Sequence, residues 1–211
     1  MLVSETHEFM FIHVPRTGGS SARRVLGPFS TNPSRHRLNK LGSRLGLVPW
    51  RKRYFAVNTT LSEAQSALPP EVYERVYKFA FVRNPWDRLV SQYFYVRNNP
   101  EHHRHRLILS LRDFSEYVDY EIRRNKFTQL PLILDRNGQS GLDFMGRFET
   151  LASDVATAFG HLGLSSALPH LNESRKDVNS WRSAYTSKTR DLVAGHWAEE
   201  IERLEYSFDG D

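Results

Sequence analysis

The sequence predicts an α/β fold, a mostly parallel sheet covered by helices. Three stretches predict it, each running from a short strand-like segment through a turn into helical spacing. The first is EFMFIHV (8–14), then PRTGGSS and SARRVL. The second is RVYKFAFVR (75–83), then Asn84-Pro85 and PWDRLVSQYFYVR, and the third is DFMGRFE (143–149), then SDVATAFGHLGL. In such sheets ligands gather beyond the carboxyl ends of the strands, so the turns after 9–14 and 76–82 are where chemistry is expected.

Each element has a local reason. EFMFIHV is short, apolar and aromatic and stops at Pro15, which suits a buried strand better than a helix. LSEAQSAL (61–68) reads as a short helix with Ser62 as its cap. RVYKFAFVR carries the strongest strand signal and is stopped by Asn84-Pro85. Pro85 then falls in the first turn of the next helix, where its missing N–H costs nothing. Ser153 is the expected cap of the third helix.

Composition bounds the rest. The 211 residues are 39% hydrophobic and 12% aromatic, enough for one sizeable core, and no repeat or linker divides them, so one domain over 1–211 is expected. The absence of cysteine excludes disulfides, thiolate catalysis and cysteine-based metal sites. No apolar run reaches the roughly 20 residues of a membrane span. The start MLVSETHEFMF has neither the basic segment nor the apolar stretch of a signal peptide, so no transmembrane segment and a cytoplasmic location are expected. Lys and Arg outnumber Asp and Glu by 29 to 24, which suits an anionic partner or a merely basic surface. The excess is concentrated: residues 35–53 hold seven Lys or Arg and no acid, and HHRHR (102–106) forms a second cluster. The segment 28–55 reads as a basic insertion, an acceptor-binding stretch, a lid or a membrane-surface contact.

The first turn can be built into an oxyanion cradle. Gly18 and Gly19 let backbone approach a ligand, Thr17, Ser20 and Ser21 bring hydroxyls beside the N–H groups that open the helix, and Arg16 adds a fixed positive charge. An ordinary strand-to-helix turn with a glycine pair would read the same way. It is not a Walker A loop, since G-x-x-x-x-G-K-[ST] is absent. In the second turn Arg83 leaves a strand at its carboxyl end and Ser91 follows about two helical turns later, so both could meet one phosphate.

Together, IHVPRTGGSS and FVRNPWDRLVSQY resemble the sulfotransferases that use 3′-phosphoadenosine 5′-phosphosulfate (PAPS), most closely the carbohydrate branch with its 2-O-sulfotransferases and short bacterial enzymes. FMGRFETL, LPHLNES and TRDLVAGHWAEEIERLEYSF are similar to the family as well. The resemblance implies a P-loop-NTPase-like three-layer fold, PAPS as sulfuryl donor, no metal and a carbohydrate-type hydroxyl acceptor; the basic stretch at 35–53 suits an anionic glycan, and no nucleic-acid partner is expected, since the basic segments show no recognised motif and little aromatic interleaving. It implies that Arg16 stands where the family has a lysine near the sulfuryl bridging oxygen. Thr17, Gly18, Gly19, Ser20 and Ser21 take the 5′-phosphate loop, and Arg83 and Ser91 the 3′-phosphate. HLNESRK (170–176) matches a loop that closes over the nucleotide, with Ser174 and Lys176 as further candidate contacts. Asp87 and Arg88 are expected to brace the turn. Phe79, Phe81, Trp86, Tyr93 and Phe148 are assigned to the core or to adenine stacking.

Two positions depart from the pattern. Arg16 replaces Lys, and a planar fork orients differently from an ammonium. Asn58 stands where related enzymes have a histidine base, and an amide cannot accept a proton at neutral pH. His13, one strand residue before the loop, is a candidate base or an orienting residue, and Glu63 is a candidate carboxylate. His36, His102, His103 and His105 lie in basic stretches that suit solvent or an anionic acceptor. These residues leave the base open among them. The competing readings are a catalytically weak or inactive nucleotide- or anionic-glycan-binding protein of the same fold, and a kinase-like phosphotransferase, which would need a magnesium carboxylate.

Overall fold

The computed structural model describes residues 1–31, 37–164 and 180–210. Its backbone groups into two compact units, one from Met1–Val82 and Leu130–Glu173, the other from Arg83–Gln129 and Ser174–Asp211.

The first unit holds the sheet, in the order β1 (Leu2–Ser4), β2 (Phe9–Ile12), β3 (Tyr77–Val82), β4 (Phe144–Arg147). The pairs β2–β3 and β3–β4 are parallel, in registers Phe9 with Tyr77 and Phe79 with Phe144. The α/β, mostly parallel expectation is met. The N-terminal strand β1 adds an antiparallel edge, with Leu2 opposite Phe11. At three residues it is too short to show a period in sequence.

Both faces of β2 are apolar, as parallel strands covered on two sides require, and so are those of β3 except at Lys78, whose ammonium pairs with Asp143 at 3.0 Å. Phe9, Phe11, Phe79 and Phe81 are fully buried and pack with Ala22 and Leu26 of α1 (Gly19–Leu26) and with Val155, Ala158 and Phe159 of α9 (Leu151–His161). Burying each phenyl ring contributes about 1.5–3 kcal/mol. Gly146 on β4 makes room for this layer: a Cβ there would lie 2.6 Å from the Phe81 ring and 3.0 Å from Asp154. The same unit carries α2 (Arg37–Arg44), α3 (Leu61–Ala67), α4 (Pro70–Arg75) and α8 (Leu130–Ile133).

Two caps differ from the sequence expectation. Thr60, not Ser62, caps α3: its backbone is extended and its hydroxyl receives Glu63 N–H at 3.0 Å, while the Glu63 carboxylate receives Thr60 N–H at 2.8 Å. This capping box satisfies two N–H groups at once, which Ser62, already inside the first turn, cannot do. Thr150, not Ser153, precedes α9, and the Ser153 hydroxyl donates back to Thr150 O at 2.8 Å.

The second unit is helical. It comprises α5 (Pro85–Arg97), α6 (His105–Ser110), α7 (Phe114–Arg124), α10 (Ser187–His196) and α11 (Ala198–Arg203). Helix α5 has the predicted span, with Asn84 Oδ1 receiving Trp86 N–H at 3.1 Å at its start. Trp86, Leu89, Tyr93 and Val96 of α5 pack with Tyr117, Trp181, Val193 and Trp197.

Candidate active site

Strand β2 ends in a turn whose backbone is unusual twice. Arg16 has φ 72° and Gly18 has φ 78°, both left-handed. Glycine tolerates this freely. For Arg16 the conformation costs roughly 1–3 kcal/mol and persists only where surrounding structure enforces it. Gly18 is also the N-cap of α1, which has no side-chain cap and no acid in its first turn. The first N–H groups of a helix and its positive dipole end favour an anion at such a place. Ser20 is exposed and Ser21 half-buried there, whereas the Thr17 hydroxyl is buried and donates to Val14 O at 2.9 Å, holding the loop's own shape.

The glycine pair is required by packing. A Cβ at Gly18 would lie 2.4 Å from Leu151 Cδ2 at the start of α9, and one at Gly19 would lie 2.4 Å from His13 Nδ1. His13 thus props the loop from below. Its buried Nδ1 has no hydrogen-bond partner. Burial first, then nearby positive charges including Arg23, lower its pKa from 6.5 to about 4, against a smaller opposing effect of the Gly19 backbone. A group that weakly basic is poorly matched to accepting a proton at neutral pH, and these features fit the orienting role better than the base.

At the other predicted turn, Arg83 is 4% exposed and its guanidinium is fixed by Asp87, with Nε and Nη2 at 2.8 and 2.7 Å from Oδ2. Gln129 clasps its backbone, accepting Arg83 N–H at 3.0 Å and donating to Arg83 O at 2.8 Å. Gln129 in turn donates through its backbone and side chain to Glu200, at 2.6 and 2.8 Å. Glu200 faces Arg88 at 3.9 Å, and Arg88 lies over the Phe127 ring at 3.8 Å. Burial lowers the Arg88 pKa to about 10, with Glu200 opposing. Asp87 and Arg88 thus brace this turn as the sequence suggested. Ser91 is buried on α5. Gln129 and Glu200 were missed in sequence, where a glutamine and an acid in AEEIER look like solvated surface. Only the apolar spacing around Glu200 could have hinted at its burial.

Asn58 is exposed and lines a cleft of about 600 Å³ together with Arg53, Tyr54, Ser62 and Glu63. Arg53 is held by Ser43 O at 3.1 and 2.9 Å. Glu63 is occupied by the capping box, which gives it a structural task. Phe79, Phe81, Trp86 and Tyr93 are buried core residues, and Phe148 packs half-buried against the sheet's aromatic layer. His102 and His105 are half-buried, and His103 is exposed. His105 Nδ1 lies 2.9 Å from Val96 O, and the His102 and His103 rings stack at 4.5 Å. His36, Ser174, Lys176 and the 170–176 segment lie outside the described residues. Among the described residues no group of three or more His, Asp or Glu is placed to hold a metal ion, and no helix is long and apolar enough to cross a membrane.

A mostly parallel sheet, with a glycine-paired turn opening an uncapped helix after one strand, defines an α/β protein equipped to receive an anion. The chain belongs to the sulfotransferase family, whose model matches residues 1–209. An uncharacterized protein of Archaeoglobus fulgidus is 33% identical over 92 residues, covering 43% of this chain and 70% of that protein. No solved structure matches the chain significantly. Family membership implies sulfuryl transfer in general, from a sulfonate donor to a small-molecule acceptor.

Arg16→Gly is expected to leave unfolding stability unchanged or raise it by up to about 1 kcal/mol, while nucleotide affinity falls. Chemical denaturation checks it; a loss above about 1 kcal/mol would make the side chain structural. For His13, the folded state resists protonation down to about pH 4 while the unfolded chain takes a proton near 6.5. Stability from this group is therefore present above pH 6.5 and lost as pH falls to 4, about 3 kcal/mol in all. The stability difference between wild type and His13→Asn should shrink by that amount over this window; a pH-independent difference would contradict the assignment.

Proposed function

We propose that the chain transfers the sulfuryl group of PAPS to a hydroxyl of a carbohydrate-type acceptor, as a single sulfotransferase domain of the short bacterial, 2-O-sulfotransferase-like type. The observation that carries this reading is the left-handed Arg16 beside an uncapped, acid-free helix start. Strain kept at that position suits a cation aimed at a ligand. The donor supplies an electrophilic sulfur and a phosphate leaving group.

The chain's own residues would do the following. The loop of Thr17, Gly18, Gly19, Ser20 and Ser21 receives the 5′-phosphate through the N–H groups and hydroxyls at the start of α1, with Thr17 holding the turn, and Arg16 stabilises charge growing on the leaving oxygens as the acceptor oxygen attacks sulfur in line. His13 sets the height of the loop. Arg83, oriented by Asp87, and Ser91 take the 3′-phosphate, with the bracing by Gln129 limiting the reorganisation that binding requires. Charge is met by fixed cations and amides, so no metal step is invoked.

The cleft beside Asn58 suits the acceptor. Asn58 can donate to or accept from a sugar hydroxyl but cannot remove its proton, which is the specific observation that favours the second reading, a nucleotide- and glycan-binding protein with little or no turnover.

The test incubates the purified protein with PAPS and a panel of neutral and anionic oligosaccharides in EDTA. It follows release of 3′-phosphoadenosine 5′-phosphate by chromatography and sulfation of the glycan by mass. Acceptor-dependent release that drops about 100-fold or more in Arg16→Ala is expected. Nucleotide binding with no acceptor-dependent release from any glycan would favour the binding protein instead.

A further inference from the structure

Helix α2 is built inside out. Its packed side is small and polar: Asn39 Nδ2 donates to Lys52 O at 3.1 Å, and Ser43 is 3% exposed with its hydroxyl receiving Tyr54 N–H at 2.8 Å. A Cβ at Gly42 would come within 2.8 Å of Val48, so only glycine allows the close approach there. Its leucines point the other way. Leu38, Leu41 and Leu45, spaced to form one stripe, are 72, 55 and 61% exposed, and Leu47 in the following turn is 76% exposed. A solvated helix gains nothing from this arrangement, since its leucines would be stabilised by the reverse orientation.

The charge of the segment itself is one-signed. No Asp or Glu occurs between Glu8 and Glu63, and residues 35–53 carry seven Lys or Arg. Glu5 is paired with Arg51 through hydrogen bonds of 2.6 and 2.7 Å. An apolar stripe within a cationic segment matches a surface that offers hydrocarbon and negative charge together. A soluble anionic glycan answers the charge but leaves the leucines in water. A second copy of the chain would cover the leucines but bring two cationic segments face to face.

We propose that α2 and the turn after it dock this protein on an anionic lipid bilayer, the leucines entering the boundary between headgroups and acyl chains and the basic residues lying against anionic headgroups. This docking is independent of what the nucleotide site binds.

The experiment is co-sedimentation of the full chain with vesicles of phosphatidylcholine alone or mixed with phosphatidylglycerol, for wild type and Leu41→Glu/Leu45→Glu. Near-ultraviolet circular dichroism and nucleotide titration control for folding. The wild type is expected to partition at least about tenfold more strongly onto the anionic vesicles, with salt weakening the binding, and the folded variant to lose at least about tenfold of that affinity. Equal partitioning of wild type and variant would overturn the proposal. So would retention on heparin without vesicle binding, which would assign the face to a glycan. A wild-type dimer that the variant dissociates, seen by light scattering without vesicle binding, would assign it to a second copy and overturn the proposal equally.

Discussion

The ion pair between Arg83 and Asp87 carries much of the account, because it puts two charges where water hardly reaches. Their side chains are 5 and 8% exposed, and taking such groups out of water costs several kcal/mol each unless geometry returns it. Here the return comes from two contacts to one carboxylate oxygen and from Gln129, which ties the Arg83 backbone in both directions. Glu200 and Arg88 extend the same logic: a buried carboxylate holds Gln129 and answers a buried guanidinium. Loss of one member leaves an uncompensated charge, a change worth about 3–5 kcal/mol. A guanidinium so fixed would need little reorganisation to meet a phosphate, and that links the folding chemistry of this turn to its proposed role.

The first turn solves a different problem with similar economy of parts. A phosphate-sized anion needs bare backbone amides, and bare amides need neighbours that hold the loop without filling it. Leu151 and His13 press against the positions where Gly18 and Gly19 lack side chains, and Thr17 ties the loop to Val14. The neutral His13 ring does this without adding a charge. What remains facing outward is the helix start with its serines, beside Arg16 in a backbone conformation that most residues avoid.

Much of this was legible in the sequence. The strand β3, its stop at Asn84-Pro85 and the helix over 85–97 could be read because a continuous apolar run, a proline after asparagine and helical spacing act locally. The bracing role of Asp87 and Arg88 was also anticipated, through the resemblance of FVRNPWDRLVSQY to the family's second turn. Gln129 and Glu200 were not, because their burial depends on chain segments 46 and 71 residues apart in sequence. The caps at Thr60 and Thr150 were misplaced by two and three residues, as serines inside the first turn resemble caps in composition. The left-handed Arg16 could not be read at all: nothing in PRTGG distinguishes which residue carries the positive φ. Helix α2 was not read from the sequence, where 28–55 stood out only as a basic insertion; its exposed leucine stripe became visible with the fold.

The central property of the proposed site is that Arg83 reads a 3′-phosphate. Calorimetric titration of 3′-phosphoadenosine 5′-phosphate against 5′-AMP, without magnesium, on wild type, Arg83→Ala and Arg83→Lys decides it; the lysine variant keeps a cation beside Asp87 while removing the fork. The 3′-phosphate is expected to strengthen wild-type binding by about 2 kcal/mol or more, and both folded variants to lose most of that gain while binding 5′-AMP as before. Equal affinity of the wild type for the two nucleotides would contradict it, leaving the Arg83 turn as a structural device.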